Sequence, residues 1–421
     1  MQHEPFWWEA ARPQPLDEQP VSPSCDVAII GAGYAGLHAA LRLARAGRSV
    51  QVFDKEVPGF GASSRNGGMV AGTTKFRLST LIETEGEEKA FGLYREGLEA
   101  EAWFKDFIRT EKIDCHLETH GRFTGAYRPG DYEVLAREAE TVTRHFKRAI
   151  YAVPKPEQQK EIGSDLYHGG LVQEDMSALH PALYHRHLLQ RALDAGVTVH
   201  GTCGVTGFGR EDNELQIETA RGTVRARDLI VATNGYTDKE LPWLRRRLVS
   251  PQSQIIATQP LPSDLMAKLM PKKRTLGDTR ILFPYYRACP EHKRMVFGGR
   301  AGAWSNDPKV KAAALQEVMV SIFPELKDTP LTHVWWGNVS FPFDRRPKLA
   351  VEDGVHYAAG FCGSGVIWAS WFGRLAANRI INERPATSAL GCDPFETRPL
   401  YWGRPWFLPF ILGWYRFRDA V

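Results

Sequence analysis

The stretch VAIIGAGYAGLHAALRLARAGRSVQVFDKE, from Val27 to Glu56, decides the fold. A run of four apolar residues leads directly into the glycine turn GAGYAG at 31–36, and apolar residues then recur at helical spacing until Gly47. A second apolar strand follows and closes with Asp54. A buried strand, a glycine turn, a helix, a second strand and an acid in this order predict a βαβ unit that binds a dinucleotide.

The residues of this turn have separate physical roles. Gly31 permits the tight turn, Gly33 lets the backbone approach a pyrophosphate, and Gly36 lets the helix pack closely on the strand. The first N–H groups of the helix, around Tyr34 and Ala35, are free to bind the phosphates.

The acid that closes the unit lies 23 residues after Gly31. Asp54 is placed to accept hydrogen bonds from ribose hydroxyls, and Lys55 follows it at the cofactor. An acid here disfavours a nicotinamide cofactor with a 2′-phosphate. The unit leaves open whether the ligand is a nicotinamide or a flavin dinucleotide, and a chance glycine turn without a ligand is the remaining alternative.

Length and composition limit the class of protein. A chain of 421 residues predicts two or three domains, and 43% hydrophobic with 24% charged residues is typical of a soluble globular protein. The net charge of +4 is small and dispersed, with one short basic run at 245–247, and argues against a nucleic-acid partner. Six cysteines without a CxxC pair indicate reduced thiols in a cytoplasmic protein: Cys25, Cys115, Cys203, Cys289, Cys362 and Cys392.

The two ends of the chain differ in character. The first 24 residues lack a basic start before an apolar core, so we expect no signal peptide. No apolar run reaches the roughly 18 residues that a membrane-spanning helix needs. The tail RPWFLPFILGWYRFRDAV at 404–421 is rich in aromatic residues. Packing on the protein is its simplest arrangement, and covering a substrate entrance or lying in a membrane interface are the alternatives.

A second glycine-rich stretch, PGFGASSRNGGMVAG, follows the βαβ unit at 58–72. Its glycines let the backbone approach an extended ligand, and Ser63, Ser64 and Asn66 offer hydrogen bonds without bulk. A flexible surface loop is the alternative interpretation.

Four stretches together resemble the D-amino-acid oxidase superfamily, in the branch that includes glycine oxidase and sarcosine oxidase. GASSRNGG at 61–68 resembles that family's flavin-contacting segment, in a form most like that of γ-glutamylputrescine oxidase. Residues 169–208, 228–237 and 357–380 are similar to its adenine, pyrophosphate and isoalloxazine segments. The resemblance implies FAD, held in addition by Ser63, Ser64, Arg65, Asn66, Gly67, Gly68, Val205, Ala232, Thr233, Asn234, Gly235, Gly360, Gly363, Ser364, Gly365, Val366 and Ile367.

The last of these segments has a physical interpretation of its own. VHYAAG at 355–360 alternates like a strand and stops in GFCGSG, after which Val366 begins a helical run. A glycine turn that opens a helix puts a positive helix end beside the ligand, where it stabilises the negative charge of a reduced flavin. A simple helix cap is the alternative.

The predicted fold class is α/β, with a Rossmann-like FAD domain interrupted by an α+β substrate domain on an antiparallel-rich sheet. We assign 25–80, 165–250 and 345–390 to the FAD domain, and 81–164 with 251–344 to the substrate domain. Residues 391–421 form the aromatic tail. Two helical stretches, within 93–113 and 132–150, are expected to cover the second domain.

Departures from the family pattern bear on the substrate. Ser364 replaces a histidine that is usual in sarcosine oxidase and in γ-glutamylputrescine oxidase. Ile367 replaces the lysine that pairs in sarcosine oxidase with the substrate carboxylate. A small α-amino acid is therefore disfavoured, and a longer or partly apolar amine fits a pocket of Ile367, Trp368, Trp336 and Arg65. Three cations are candidates for anchoring a distal carboxylate, with solvated surface residues as the alternative: Arg65, Lys75 and Arg77.

The chemistry implied by the resemblance needs few catalytic residues, because FAD accepts the electrons. We expect a primary or secondary amine to be oxidised to an imine and hydrolysed to an aldehyde or keto product, with O2 as acceptor giving H2O2. Oxidation of an N-substituted glycine is one alternative. A dehydrogenase that passes electrons to a partner or quinone is the other, and the tail favours it. No metal site is predicted.

Two further features concern oxygen and flavin attachment. In sarcosine oxidase a lysine near the flavin promotes the reaction with O2, and the matching region here contains Lys272 and Lys273. Covalent flavin attachment in parts of the family makes Cys289 and Cys362 worth testing, although burial explains most free thiols.

Overall fold

The computed structural model describes residues 1–212, 214–301, 305–390 and 394–420. In chain order the strands are β1 (Ser24–Ile30), β2 (Val50–Phe53), β3 (Met69–Val70), β4 (Glu118–Thr119), β5 (Arg122–Gly125), β6 (Ile150–Val153), β7 (Gly170–Gln173), β8 (Ser177–Ala178), β9 (Thr198–His200), β10 (Val205–Glu211), β11 (Glu214–Thr219), β12 (Gly222–Val231), β13 (Gln252–Thr258), β14 (Thr275–Asp278), β15 (Tyr285–Ala288), β16 (Met295–Gly299), β17 (Leu331–Asn338), β18 (Lys348–Glu352) and β19 (Val355–Ala359). The helices are α1 (Trp8–Ala11), α2 (Tyr34–Arg45), α3 (Leu78–Glu85), α4 (Glu87–Thr110), α5 (Pro129–Phe146), α6 (Pro181–Asp194), α7 (Pro242–Arg245), α8 (Ser263–Leu269), α9 (Pro308–Ile322), α10 (Gly365–Ile380) and α11 (Leu408–Ala420).

The first large sheet contains the predicted βαβ unit. Strands β19, β12, β1, β2 and β9 lie side by side and parallel, and the antiparallel strands β10, β11 and β18 extend the sheet. In register, Val27 pairs with Val50 and Ile30 with Phe53. These central strands are buried on both faces, which explains their continuous apolar sequence.

The second large sheet has the strand order β17-β13-β16-β15-β14-β5-β7-β6. Its neighbouring strands are antiparallel except for β14 and β5, which are parallel. Helix α9 packs on this sheet, with Leu315 and Met319 in its core. The predicted α/β class, with a parallel-rich sheet and an antiparallel-rich second sheet, is confirmed.

The domain boundaries stay a prediction, but the sheets show which segments pair. Strand β7 lies in the second sheet, within the segment 165–250 that we assigned to the FAD domain. Helix α4 packs against α3 and α10, whereas α5 packs against β6 and β7 of the second sheet. Glu96 on α4 and Trp371 on α10 are both buried where the two helices meet, and the indole N–H of Trp371 donates to the Glu96 carboxylate at 2.8 Å.

The tail forms α11. The Arg128 guanidinium, at the start of α5, donates to the Arg418 carbonyl of this helix. The Asp419 carboxylate accepts the backbone N–H groups of Ile281 and Leu282 at 2.8 and 2.9 Å. Among the described residues, no helix is both long and apolar enough to cross a membrane. One face of the tail therefore packs on the rest of the protein.

Helices α2 and α10 touch each other through a glycine. A Cβ added at Gly373 would lie 2.1 Å from the carbonyl oxygen of Ala35, far inside van der Waals contact. This close approach puts the N-termini of both helices on the same side of the first sheet.

We expect Gly373→Ala to lower the free energy of unfolding by about 1–3 kcal/mol, because the methyl group must push two backbones apart. Urea unfolding of the apoprotein measures this. Gly92→Ala on α4 is the matched control, since its added Cβ meets nothing within 4 Å and alanine favours a helix. Equal stability of Gly373→Ala and the parent protein would contradict this account of the helix contact.

Candidate active site

A cavity of about 660 Å³ extends from the carboxyl ends of β1, β2 and β12 to the second sheet. Ligands of open parallel sheets bind at this edge. Eighteen of the predicted FAD-contacting residues line it: Gly31, Gly33, Tyr34, Ala35, Asp54, Lys55, Ser63, Arg65, Asn66, Gly67, Val205, Ala232, Thr233, Asn234, Gly363, Ser364, Gly365 and Val366. The predicted carboxylate anchors Lys75 and Arg77 line it as well. The cavity thus collects residues from all four stretches that resemble the family.

The glycine turn is as tight as the sequence predicts. Gly31 has φ +106°, and a Cβ at Gly36 would lie 1.9 Å from the Gly31 carbonyl oxygen. His185 fixes the turn from the side, with Nε2 2.8 Å from the Ala32 carbonyl oxygen. Burial lowers the pKa of His185 to about 4, so the ring is neutral at pH 7 and donates this hydrogen bond. The backbone can therefore approach a ligand closely at this turn.

Asp54 both fixes the turn and faces the cavity. One carboxylate oxygen accepts the Ala32 N–H at 2.8 Å, and the other accepts the Glu56 N–H at 3.0 Å. Burial raises the pKa of Asp54. Each carboxylate oxygen can accept a further hydrogen bond, so both remain suited to ribose hydroxyls. Lys55 forms an ion pair with Asp238 at 2.8 Å.

The glycine-rich loop is fixed by three tryptophans. The indole N–H groups of Trp7, Trp8 and Trp335 donate to the Asn66 carbonyl, the Ser64 hydroxyl and the Arg65 carbonyl, each at 2.8 Å. Three buried or partly buried indoles hold this loop, which disfavours the flexible-loop interpretation. The N-terminal tryptophans were not among the predicted site residues, because their contacts join segments far apart in sequence.

The loop is also tied to the first helix. The Ser63 hydroxyl accepts the Tyr34 N–H at 3.0 Å, at the start of α2. A Cβ at Gly33 would lie 3.0 Å from this hydroxyl. The turn, the helix start and the loop therefore form one wall of the cavity.

Five predicted contact residues shape the site without lining it: Gly36, Ser64, Gly68, Gly235 and Gly360. Gly68 and Gly235 allow close backbone approaches, since their added Cβ atoms would lie 2.1 Å from Leu179 O and 2.8 Å from Asn338 O. The Gly360 N–H donates to Asn234 Oδ1 at 2.8 Å and so joins the strand-end turns after β12 and β19.

The N-terminus of α10 opens onto the same cavity as that of α2. Gly363, Ser364, Gly365 and Val366 form this part of the lining. The N-terminal N–H groups of a helix have no partner inside it and attract negative charge. Two such helix ends, glycines that admit close backbone approach and an acid at the turn fit the phosphates, ribose and ring of FAD.

Three cations lie at the substrate-sheet end of the cavity: Lys75, Arg122 and Arg300. Burial lowers the pKa of all three, and that of Lys75 falls to about 8 because Arg300 and Arg122 add repulsion. The Nε atoms of both arginines are buried without a hydrogen-bond partner among the described residues. Nearby Asp278 already accepts hydrogen bonds from Arg280 at 2.9 Å and Tyr167 at 3.2 Å.

Lys75 links this cation cluster to the α10 turn. Its Nζ lies 5.0 Å from the centre of the Phe283 ring, and a Cβ at Gly363 would be 3.6 Å from it. Lys75 was one of the predicted carboxylate anchors. Arg122 and Arg300 were not predicted, because the pairing that joins β5, β14, β15 and β16 is not visible in the sequence.

The structure places the predicted substrate residues differently. Ile367 and Trp368 are fully buried outside the cavity lining, and the indole N–H of Trp368 donates to the Thr73 carbonyl at 3.0 Å. The Trp336 ring also lies outside the lining, 5.0 Å from Lys311 Nζ. Arg65 lines the cavity, but its guanidinium donates to the Phe60 and Trp336 carbonyls at 2.8 and 3.0 Å. It therefore has a mainly structural role.

Lys272 and Lys273 are exposed in the turn before β14 and lie outside this cavity. Lys273 lies instead in a small hollow with Glu118, His120 and His292. The ligand-type atoms of these last three lie within 4.8 Å of one another, a grouping that the sequence did not predict. Among the described lysines, Lys55 and Lys75 line the cavity, and Lys75 is the one at its substrate-sheet end.

The two thiols considered for flavin attachment are buried and outside the lining. Cys362 donates from Sγ to the Gly360 carbonyl at 3.1 Å, and burial raises its pKa to about 12. Burial also raises the pKa of Cys289. Both are protonated at pH 7 and poorly nucleophilic. Cys392 lies outside the described residues.

Comparisons with known proteins agree with this site. The family model described as DAO, FAD dependent oxidoreductase, matches residues 26–379. γ-Glutamylputrescine oxidoreductase from Escherichia coli K12 is 29% identical over 416 residues, 97% of this chain and 96% of that protein. Probable oxidoreductase OrdL from Haemophilus influenzae is 27% identical over 385 residues, 90% and 88% of the two chains.

The fold is also that of a solved relative. Glycine oxidase from Geobacillus kaustophilus has a TM-score of 0.75 at 18% identity, covering 90% of this chain and 99% of that chain. A family match over most of the chain and a cavity built for a dinucleotide support the same conclusion. The chain belongs to the DAO family of FAD-dependent oxidoreductases, which act on amine or amino-acid substrates.

Proposed function

We propose that this enzyme oxidises a primary or secondary amine that carries a carboxylate at its far end, as γ-glutamylputrescine does. The product imine is hydrolysed to an aldehyde, and O2 is reduced to H2O2. The observation that carries the proposal is the cation cluster of Lys75, Arg122 and Arg300 in the cavity that the two helix ends share. Buried cations whose N–H groups have no hydrogen-bond partner in the protein are suited to bind a carboxylate.

In this proposal, one end of the cavity binds FAD and the other end binds the substrate carboxylate. Bound FAD would lie along the turn at 31–36 and the start of α10, and it supplies a two-electron acceptor. The cation cluster would hold the carboxylate, so the amine carbon extends towards Gly363. The amine gives up two electrons and two protons to become an imine. Water then hydrolyses the imine to an aldehyde and ammonia, or to an aldehyde and a primary amine where the substrate is a secondary amine.

The positions of two sets of residues argue against an N-substituted glycine as the substrate. Ile367 is apolar and buried, so it offers no charge to a carboxylate. Arg122 lies on β5 and Arg300 directly follows β16 in the second sheet, which favours a longer substrate.

Lys75→Met tests the carboxylate anchor. We expect KM for γ-glutamylputrescine to rise by roughly 10-fold or more, because a hydrogen bond between charged groups is lost. KM for N-acetylputrescine, which lacks the carboxylate, should change little. Lys272→Met is the matched control, since Lys272 is exposed outside the cavity. H2O2 release and anaerobic bleaching of the flavin measure turnover.

Two results would contradict the proposal in different ways. Failure of every amine to bleach the flavin would exclude amine oxidation. Bleaching without recovery in air would replace O2 with another acceptor and favour the dehydrogenase.

The pH dependence should follow Lys75. Its ammonium form binds a carboxylate and exists below its pKa of about 8, so the preference for γ-glutamylputrescine over N-acetylputrescine should fall as the pH rises through 8. The ratio of the two kcat/KM values cancels effects common to both amines. The step should vanish in Lys75→Met, and a ratio that stays constant from pH 7 to pH 9 in the parent protein would argue against this role.

A further inference from the structure

The C-terminal segment from Leu400 to Arg418 exposes an unusual amount of apolar surface. Six of its large apolar side chains are each more than half exposed: Leu400, Trp402, Trp406, Phe410, Trp414 and Phe417. Exposed apolar groups concentrated in one segment mark an interaction surface. The cofactor site and the substrate cavity use none of these six residues.

Helix α11 presents two distinct faces. The face on the protein contains Leu408, Leu412, Tyr415 and Asp419, which are partly buried. The other face presents Phe410, Trp414 and Phe417 at spacings of four and three residues. Because Asp419 binds two backbone N–H groups, the helix cannot turn these aromatic rings inward without breaking both bonds.

The charge of this segment has one sign. Between residues 399 and 418 there is no acidic residue, and three arginines occur there: Arg404, Arg416 and Arg418. The structure also brings the basic run 245–247 to the start of the segment. The Arg246 guanidinium lies 4.8 Å from the centre of the Trp402 ring, and a Cβ at Gly403 would lie 2.3 Å from Arg245 Cγ.

We propose that this segment docks the enzyme on an anionic lipid surface. Tryptophan and phenylalanine are favoured at the level of the lipid headgroups, and arginines next to them are attracted to anionic lipids. A helix of 13 residues is too short to span the bilayer but suits a position in the interface plane. The positive charge without acidic residues favours an anionic surface over a second copy of the same segment, which would repel it.

Docking would bring the cavity close to the lipid. The residues that Asp419 holds, Ile281 and Leu282, directly precede Phe283, which lines the cavity and contacts Lys75. A lipid-bound α11 therefore lies beside the loop that forms one wall of the substrate site.

Vesicle sedimentation of the full-length holoenzyme tests the proposal. We expect the enzyme to sediment with vesicles of phosphatidylcholine mixed with phosphatidylglycerol, more weakly at high salt, and little with phosphatidylcholine alone. The triple variant Phe410→Ser, Trp414→Ser, Phe417→Ser should lose at least roughly 10-fold in vesicle affinity, because the inserted apolar area is removed. Its flavin absorbance should match that of the parent, which shows that it folds.

Two variants complete the test. Arg246→Gln with Arg404→Gln should weaken binding to the anionic vesicles, whereas Val351→Ser, an exposed apolar residue on β18, should not. Absence of sedimentation at low salt, or binding that the triple variant retains, would overturn the proposal. A dimer in sedimentation velocity that the triple variant converts to a monomer, without vesicle binding by the parent, would assign this face to a second copy instead.

Discussion

The contact between α2 and α10 is the constraint on which the site depends. Gly373 lets the α10 backbone approach Ala35 so closely that both helices start at one cavity. Both N-termini could then act on one bound FAD, with the start of α2 suited to its phosphates and the start of α10 to its ring. A larger residue at this crossing would separate the two ends and divide the site.

The rest of the cofactor site consists of segments held against this pair of helices. Three indole N–H groups fix the loop around Asn66, and Ser63 ties that loop to the start of α2. In the function that we propose, substrate recognition would depend on the opposite sheet, which supplies Arg122 and Arg300. A cation cluster there and a dinucleotide turn on the first sheet make the cavity polar at both ends. This polarity would orient the long amine that we propose as the substrate.

The local part of this arrangement was predictable from sequence, and the long-range part was not. A turn such as 31–36 has its geometry set by neighbouring glycines, so Gly31 and Asp54 lie where the pattern placed them. Ile367 and Trp368 follow the second turn in sequence, but helical rotation points them into the core. Arg300 reaches the site only through strand pairing across the second sheet, and no local pattern encodes that pairing.

The central claim is that one cavity holds FAD at the helix ends and a carboxylate at the cation cluster. A crystal structure of the FAD-bound enzyme, reduced in the absence of O2 and soaked with γ-glutamylputrescine, tests it most directly. The account predicts the glutamyl carboxylate within hydrogen-bond distance of Lys75, Arg122 or Arg300, with the amine end against the ring beside Gly363. A carboxylate held elsewhere, or a ring that lies away from the start of α10, would contradict it.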